Sequence, residues 1–409
     1  MQIKNLPCEF SVSVCIMVIN MMKILFLEWN SFGNEFIKHE FDRMGYELIS
    51  LKISQARDDM RSGDAVTEEI ARAILTYKPI FVFSFNYFPV AAIACKACRT
   101  KYVSWIYDSP YILLYSKTIF YHTNYVFVFD HYEVERLKQL GVNTIYYLPM
   151  ASATYFYDQK IPDEKRRKKY SSDITFIGSM YSEEKHHLFR HMKDLDMQTK
   201  GYVDALVNIQ KNLYGIDIIE NSLTPEIMEK INLVCPIVIH GDGMETKEWV
   251  IANYFLAREV TAVERRELLQ ILSEKNRLKL FTPEKTEFLP NVENMGKIDY
   301  YDEAPYAIKC AKINLNITLK SIHTGIPLRA LDIMGCGGFL LTNYQEDLLE
   351  YFEPDKDFVY YESMEHAKEL ADYYLRHDRE RMRIAENGYK KVKDNLTYEK
   401  QITKILEVI

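Results

Sequence analysis

Arg329 and Asp332 stand three residues apart, behind the polar turn Ser321-Ile322-His323-Thr324-Gly325-Ile326-Pro327 and ahead of the glycine stop Gly335-Cys336-Gly337-Gly338. Arginine offers a planar fork to phosphate oxygens, and aspartate is the usual partner for paired ribose hydroxyls. The turn leaves backbone N–H groups free at a helix start, where the positive end of the helix dipole also favours an anion. Elsewhere, Asp108 precedes Ser109-Pro110, and His131 follows Asp130. A proline cannot continue a strand ladder, so the Asp108 carboxylate projects from a sheet edge. There it can accept a proton from a hydroxyl nucleophile. His131 is the second candidate base. Each has a structural reading as well: a βαβ crossover with a solvated Arg and Asp, a capping or ion-pairing Asp108, and a His131 that caps the helix over 132–140.

The elements that must position these residues follow from hydrophobic period. Residues 314–343 begin as a strand, with Ile313, Leu315 and Ile317 alternating with polar neighbours, then pass through the turn into a helix over 328–334 and a second strand over 339–342. That is one βαβ unit. Between residues 23 and 151 strands are expected at 23–29, 46–53, 80–86, 102–108, 125–130 and 144–148, alternating with amphipathic helices. This order builds a parallel sheet covered on both faces. Asn86, Asp108 and Asp130 end three of these strands, and the carboxyl ends of an open α/β sheet border its ligand crevice.

After a linker at 152–172, a strand over 173–179 ends in Gly178-Ser179. A helical insertion is expected over 188–273, a strand at 278–281, a short strand before Gly296-Lys297-Ile298, a helix over 302–311 and a last helix over 398–409. The predicted organisation is an extension at 1–20 with Met21 or Met22 as an alternative start, a first domain at 21–160, a second domain at 173–396, and a final helix at 397–409.

The segment around Asp332 resembles the donor-nucleotide site of GT-B glycosyltransferases, and in detail the CgeB-like, spore-maturation type. The broad family runs a Glu-x7-Glu motif into an Ala-Cys-Gly stop; here Asp332 matches the second acid before Gly335-Cys336-Gly337, and the first acid's position holds Thr324. The CgeB-like subset shares Pro-x-Arg ahead of the acid, matched by Pro327 and Arg329. Its relatives are also similar at Asn86-Tyr87-Phe88-Pro89, Trp105 to Pro110 and Val128-Phe129-Asp130-His131. The resemblance implies a GT-B fold: two Rossmann-like domains facing a central cleft, the second with a helical insertion. It implies Arg329 and backbone near Gly178, Ser179 and Gly325 on the diphosphate, Asp332 on the ribose, and Gly296 to Ile298 on the base. Asn316, Thr318 and His323 complete the donor-binding set it implies, with Asp108 the preferred base and His131 the alternative.

Composition narrows the classes. The 409 residues carry a net charge of −7, unlike the basic footprint of a nucleic-acid binder. Seven scattered cysteines suggest reduced thiols and a cytoplasmic protein. Cys95-Lys96-Ala97-Cys98 is one CxxC without a second pair and reads as packing. His187 and His191, four apart on an expected helix, have ligand spacing without a zincin pattern. The charge run at 163–169 reads as solvated, and basic contact with a membrane surface is its alternative. The 13 mostly apolar residues at 10–22 are too short to span a bilayer. No Gly-x-Gly-x-x-Gly follows an early strand, which counts against a nicotinamide dehydrogenase.

The expected activity is transfer of a sugar from a nucleotide-diphosphate donor, UDP-sugar first, to an unknown acceptor hydroxyl. No cofactor or metal is expected, because no Asp-x-Asp clamp ends a strand. The acceptor is a glycan, protein or small molecule. Two alternatives stand beside it: a non-catalytic nucleotide- or sugar-binding relative, and a nucleotide-sugar epimerase on the same fold.

Overall fold

The computed structural model describes residues 22–53, 59–183 and 187–409. The expected extension at 1–20 lies outside them. Two parallel six-stranded sheets carry the described chain. The first consists of β1 (Lys23–Glu28), β2 (Glu47–Lys52), β3 (Phe81–Phe85), β4 (Lys101–Ile106), β5 (Asn124–Val128) and β6 (Ile145–Tyr147), in the order β2-β1-β3-β4-β5-β6. The second consists of β7 (Ser172–Ile177), β8 (Leu278–Phe281), β9 (Val292–Asn294), β10 (Ala311–Asn316), β11 (Leu340–Asn343) and β12 (Val359–Tyr361), in the order β12-β11-β10-β7-β8-β9.

Covered faces explain the strand sequences. All five residues of β3, Phe-Val-Phe-Ser-Phe, are buried, as expected of a parallel strand with helices on both sides. Strand β4 stops at Ile106, two residues before the expected 108. Asn86, at a left-handed φ of 59°, turns its side-chain Oδ1 to accept the Tyr107 N–H at 3.1 Å. That bond ends the ladder and points Asp108 out of the sheet.

The helical insertion lies between β7 and β8 in sequence, yet its apolar side faces the first sheet. Val203, Ile231, Trp249 and Leu256 share one core with Leu25, Val82 and Val126. Polar clasps reinforce this seam. Arg136 forks onto Glu220 with both bonds at 2.8 Å, and the buried Arg61 reaches Asp242 at 3.0 Å and Glu245 at 2.7 Å. The C-terminal helix Tyr398–Val408 also packs on the first half, with its Tyr398 ring against Phe36 and Trp105. Gln401 donates to the Pro149 carbonyl at 2.8 Å.

Two minor expectations resolve here. His187 and His191 do not share a helix face: Leu188–Met192 is a short 3-10 stretch, and His187 stands before it with its Nε2 3.9 Å from Glu259. A period of three residues per turn separates positions that a 3.6-residue helix would align. Cys95 and Cys98 lie on the helix Pro89–Cys98 as free thiols, and burial raises the pKa of both.

Candidate functional site

The carboxyl ends of β10 and β11, with the turn that follows β10, border a cavity of about 100 Å3. Thr318, His323 and Thr324 line it from the second half, Tyr132 from the first, and Tyr214 and Asp217 from the insertion. Asn316 lies beneath it as a buried brace. Its Nδ2 donates to Thr318 Oγ1 at 3.0 Å and Thr342 Oγ1 at 2.9 Å, and Asn343 Oδ1 accepts the Thr318 N–H at 2.8 Å. Asn316 thus fixes the strand ends that present Thr318 and does not open onto the cavity.

The turn's free N–H groups, expected to face a diphosphate, already have an anion. Asp130, at the end of β5, accepts from the His323 N–H at 2.8 Å, the Thr324 N–H at 3.3 Å and the Thr324 hydroxyl at 2.8 Å. Gly325 is needed for this docking: a Cβ there would lie 2.8 Å from the Phe129 carbonyl and 2.9 Å from Asp130 Cα. The close approach at Gly325 is therefore to the first half of the chain. In this arrangement its backbone has no room for a diphosphate.

Asp108 and the same turn come together. Asn86 Nδ2 donates to Asp108 Oδ2 at 2.7 Å, and the adjacent Ser109 hydroxyl donates to the Ser321 carbonyl at 2.9 Å. Asp108, Asp130, Glu133 and Ser321 line one small cavity of about 20 Å3. Burial pushes the Glu133 carboxyl up to about 7. His131 is placed differently from a base in an open cleft. Its ring stacks on Tyr147 with centroids 3.4 Å apart, and Nδ1 lies 3.3 Å from Asp347 and 3.4 Å from Glu350. These are polar contacts across the two halves.

Asp332 is buried on the helix Leu328–Gly335, and both its oxygens are occupied. Tyr157 donates at 2.8 Å and Tyr300 at 2.6 Å. Burial raises its carboxyl to about 6, against the pull of the two tyrosine hydroxyls. The ribose contact implied for Asp332 is thus closed off by Tyr300, which also accepts from Arg329 Nε at 3.1 Å. Tyr300 and its neighbour Tyr301 pack on Phe32 of the first half, and the Tyr301 hydroxyl accepts the Gly33 N–H at 2.8 Å. Gly296 (φ 78°) and the half-buried Ile298 lead into this aromatic plug, Gly296 donating its N–H to Asn294 Oδ1 at 2.9 Å.

Gly178 and Ser179 end β7 beside a second internal anion. Glu284 accepts from the N–H groups of Met180 and Ser182 and from the Ser179 and Ser182 hydroxyls. Burial works to raise its carboxyl, but the Ser182 and Met180 bonds hold it below the ordinary value. Arg265 ties β7 to β10, donating to the Ser179 carbonyl at 2.5 Å and the Ile317 carbonyl at 2.6 Å. A Cβ at Gly178 would meet the Phe176 ring at 3.0 Å, so the glycine makes room for that ring. Among the described residues, no group of three or more His, Cys, Asp or Glu side chains is arranged to hold a metal ion, and no helix is long and apolar enough to cross a membrane.

Two facing parallel sheets with the switch-point turn between them define the architecture to compare. A family model described as glycosyl transferase-like matches residues 258–407, the segment that carries Arg265, Arg329 and Asp332. That segment is similar to glycosyltransferases. The fold of the chain is GT-B, shared with a sucrose-phosphate synthase from Thermosynechococcus elongatus (TM-score 0.54, 10% identity, covering 95% of this chain and 98% of that one). A glycosyltransferase from Rickettsia africae aligns with a TM-score of 0.51 at 14% identity over 95% of this chain and 98% of the other. Anabaena HepE, solved in complex with UDP-glucose, aligns with a TM-score of 0.52 at 10% identity over 95% of this chain and 100% of the other. No curated protein matches.

Several residues of the site escaped the sequence reading. Glu133 is hidden in an amphipathic helix, and Tyr157, Tyr300 and Glu284 meet their partners only through tertiary contacts. Asp130 carried a signal, an acid at a strand end, but not its partner.

Proposed function

We propose that this protein is a glycosyltransferase that moves a sugar from a nucleoside-diphosphate donor, UDP-sugar by preference, onto an acceptor hydroxyl. The observation that carries the reading is the junction of Asp108 and Ser109 with the Ser321–Gly325 turn, where the carboxyl ends of both sheets meet beside the cavity lined by Thr318 and His323. Ligands of open α/β sheets bind at such carboxyl ends. Arg329, the second residue of its helix, donates to Tyr300 of the aromatic plug, and parting of the two halves would free it. Asp108 takes the proton of the acceptor hydroxyl as its oxygen bonds to the anomeric carbon. The bond to the β-phosphate oxygen breaks, and the diphosphate leaves with the electron pair, its charge met by Arg329 and the helix start.

Pro327 and Arg329 ahead of Asp332 support kinship with CgeB-like enzymes, scattered thiols support a cytoplasmic setting, and the absence of an Asp-x-Asp strand end supports transfer without a divalent ion. The test is a thermal-shift panel with UDP, GDP, ADP, CDP, dTDP and NAD. Saturation at about 100 times the dissociation constant adds roughly 2.7 kcal/mol. A shift with one nucleoside diphosphate, none with NAD, and turnover that survives EDTA supports the reading; silence with every nucleotide overturns it.

A further inference from the structure

The cavity beside the Ser321–Gly325 turn has an unequal charge lining. Lys320 projects toward it, but its charge is met from within the protein. Its Nζ lies 3.3 Å from Glu264, a fully buried carboxylate, donates to the Leu213 carbonyl at 3.3 Å, and stands 4.1 Å over the Tyr214 ring. The other Glu264 oxygen accepts from the Tyr214 hydroxyl at 2.8 Å. Lys320 and Glu264 therefore cancel beneath the wall.

Asp217 is the acid left on the cavity side. Its Oδ1 accepts the Ile219 N–H at 2.9 Å, which orients the side chain, and its Oδ2 stands 3.7 Å from His323 Nδ1. The cavity is also lined by Tyr132, its ring tilted 32° to that of His323 at 4.1 Å, by Tyr214 and by Thr318. A fixed carboxylate accepts from adjacent sugar hydroxyls. A like charge brought against it is rejected at a cost that weakens binding.

We propose that this cavity seats the donor's sugar, that it takes an uncharged or amine-bearing hexose and rejects a uronate, and that Asp217 is the residue that discriminates. The inference rests on the nucleotide-sugar reading above and adds the class of sugar. The discriminating side chain comes from the helical insertion, so sugar choice is set by a segment packed on the first half of the molecule.

Isothermal titration of the full chain with UDP, UDP-glucose and UDP-glucuronate tests this. The native protein should bind UDP-glucuronate roughly tenfold or more weakly than UDP-glucose, as like-charge contact demands. Asp217→Asn keeps the bond to the Ile219 N–H and should shrink that ratio to about threefold or less, with UDP alone bound as before. Asp217→Ser, which retains a capping oxygen, should do the same if Asn disturbs folding. Equal binding of both sugars by the native protein, or an unchanged ratio in both variants that still bind UDP, would overturn the assignment of Asp217 while leaving the donor reading intact. Silence with UDP and with every other nucleoside diphosphate would remove the donor reading, and this proposal with it.

Discussion

The Asp130 carboxylate and the His323 N–H meet at 2.8 Å across the two halves of the molecule, and Thr324 adds its N–H and hydroxyl to the same carboxylate. A side chain thus fills an anion-binding turn from the opposite domain, and the bonds that close the cleft use groups suited to an anionic ligand.

Replacing Asp130 by Asn keeps the shape but removes the charge from these bonds. Hydrogen bonds to a charged group contribute roughly 1.5–3 kcal/mol each, so a loss of about 2 kcal/mol or more is expected in urea denaturation. An unchanged midpoint would mean that the contact adds nothing to closure.

Gly325→Ala should act on the same seam by steric means. The new Cβ would press on the Phe129 carbonyl and the Asp130 backbone, neither of which can rotate away. Overpacking of this kind costs about 1–3 kcal/mol. Thermal unfolding of Gly325→Ala and of the Gly325→Ala/Asp130→Asn pair should show the two losses to be less than additive, since both open one interface.

Asp332 gives a pH signature. Its folded carboxyl titrates near 6, above the value of about 3.9 in an unfolded chain. Between those values the folded state holds a proton that the unfolded chain has lost, so this group's contribution falls as pH rises from 4 to 6. The difference between native protein and Asp332→Asn should therefore move by about 2 kcal/mol toward the variant from pH 4 to pH 7. Parallel stability curves for the two proteins would refute the buried, tyrosine-held carboxyl.

Asp108→Asn should lower turnover by about 10²–10⁴-fold while the dissociation constant of the donor nucleotide stays unchanged, the pattern of a lost general base. Normal turnover would shift the role to Glu133, which faces the same small cavity.

Arg329→Ala should weaken nucleoside-diphosphate binding by about tenfold or more, as loss of a charge-assisted pair predicts. Calorimetry with UDP measures it directly, and an unaltered isotherm would detach Arg329 from the diphosphate.

How far the sequence carried can be read from particular residues. Apolar runs located β1 to β6 to within two residues, because strands covered on both faces are written as local apolar sequence. The turn before Leu328 was legible from Gly325 and Pro327. What was not legible depends on partners far apart in the chain: Tyr157 and Tyr300 reach Asp332 from 175 and 32 residues away. Asp217 carries no local signal, since its cavity exists only once the insertion folds over β10. The spacing of His187 and His191 misled because it assumed a helical period that the segment does not adopt.

The first sheet is completed by chain made much later. Its core includes Trp249 and Leu256, and Tyr398 caps Trp105 from the C-terminal helix. During synthesis, β1 to β6 leave the ribosome well before these covers exist, and their apolar face waits through the translation of most of the second half. Such long-range closure slows folding and leaves surface exposed in the interim. A chain cut after residue 160 is therefore expected to aggregate where the whole protein folds.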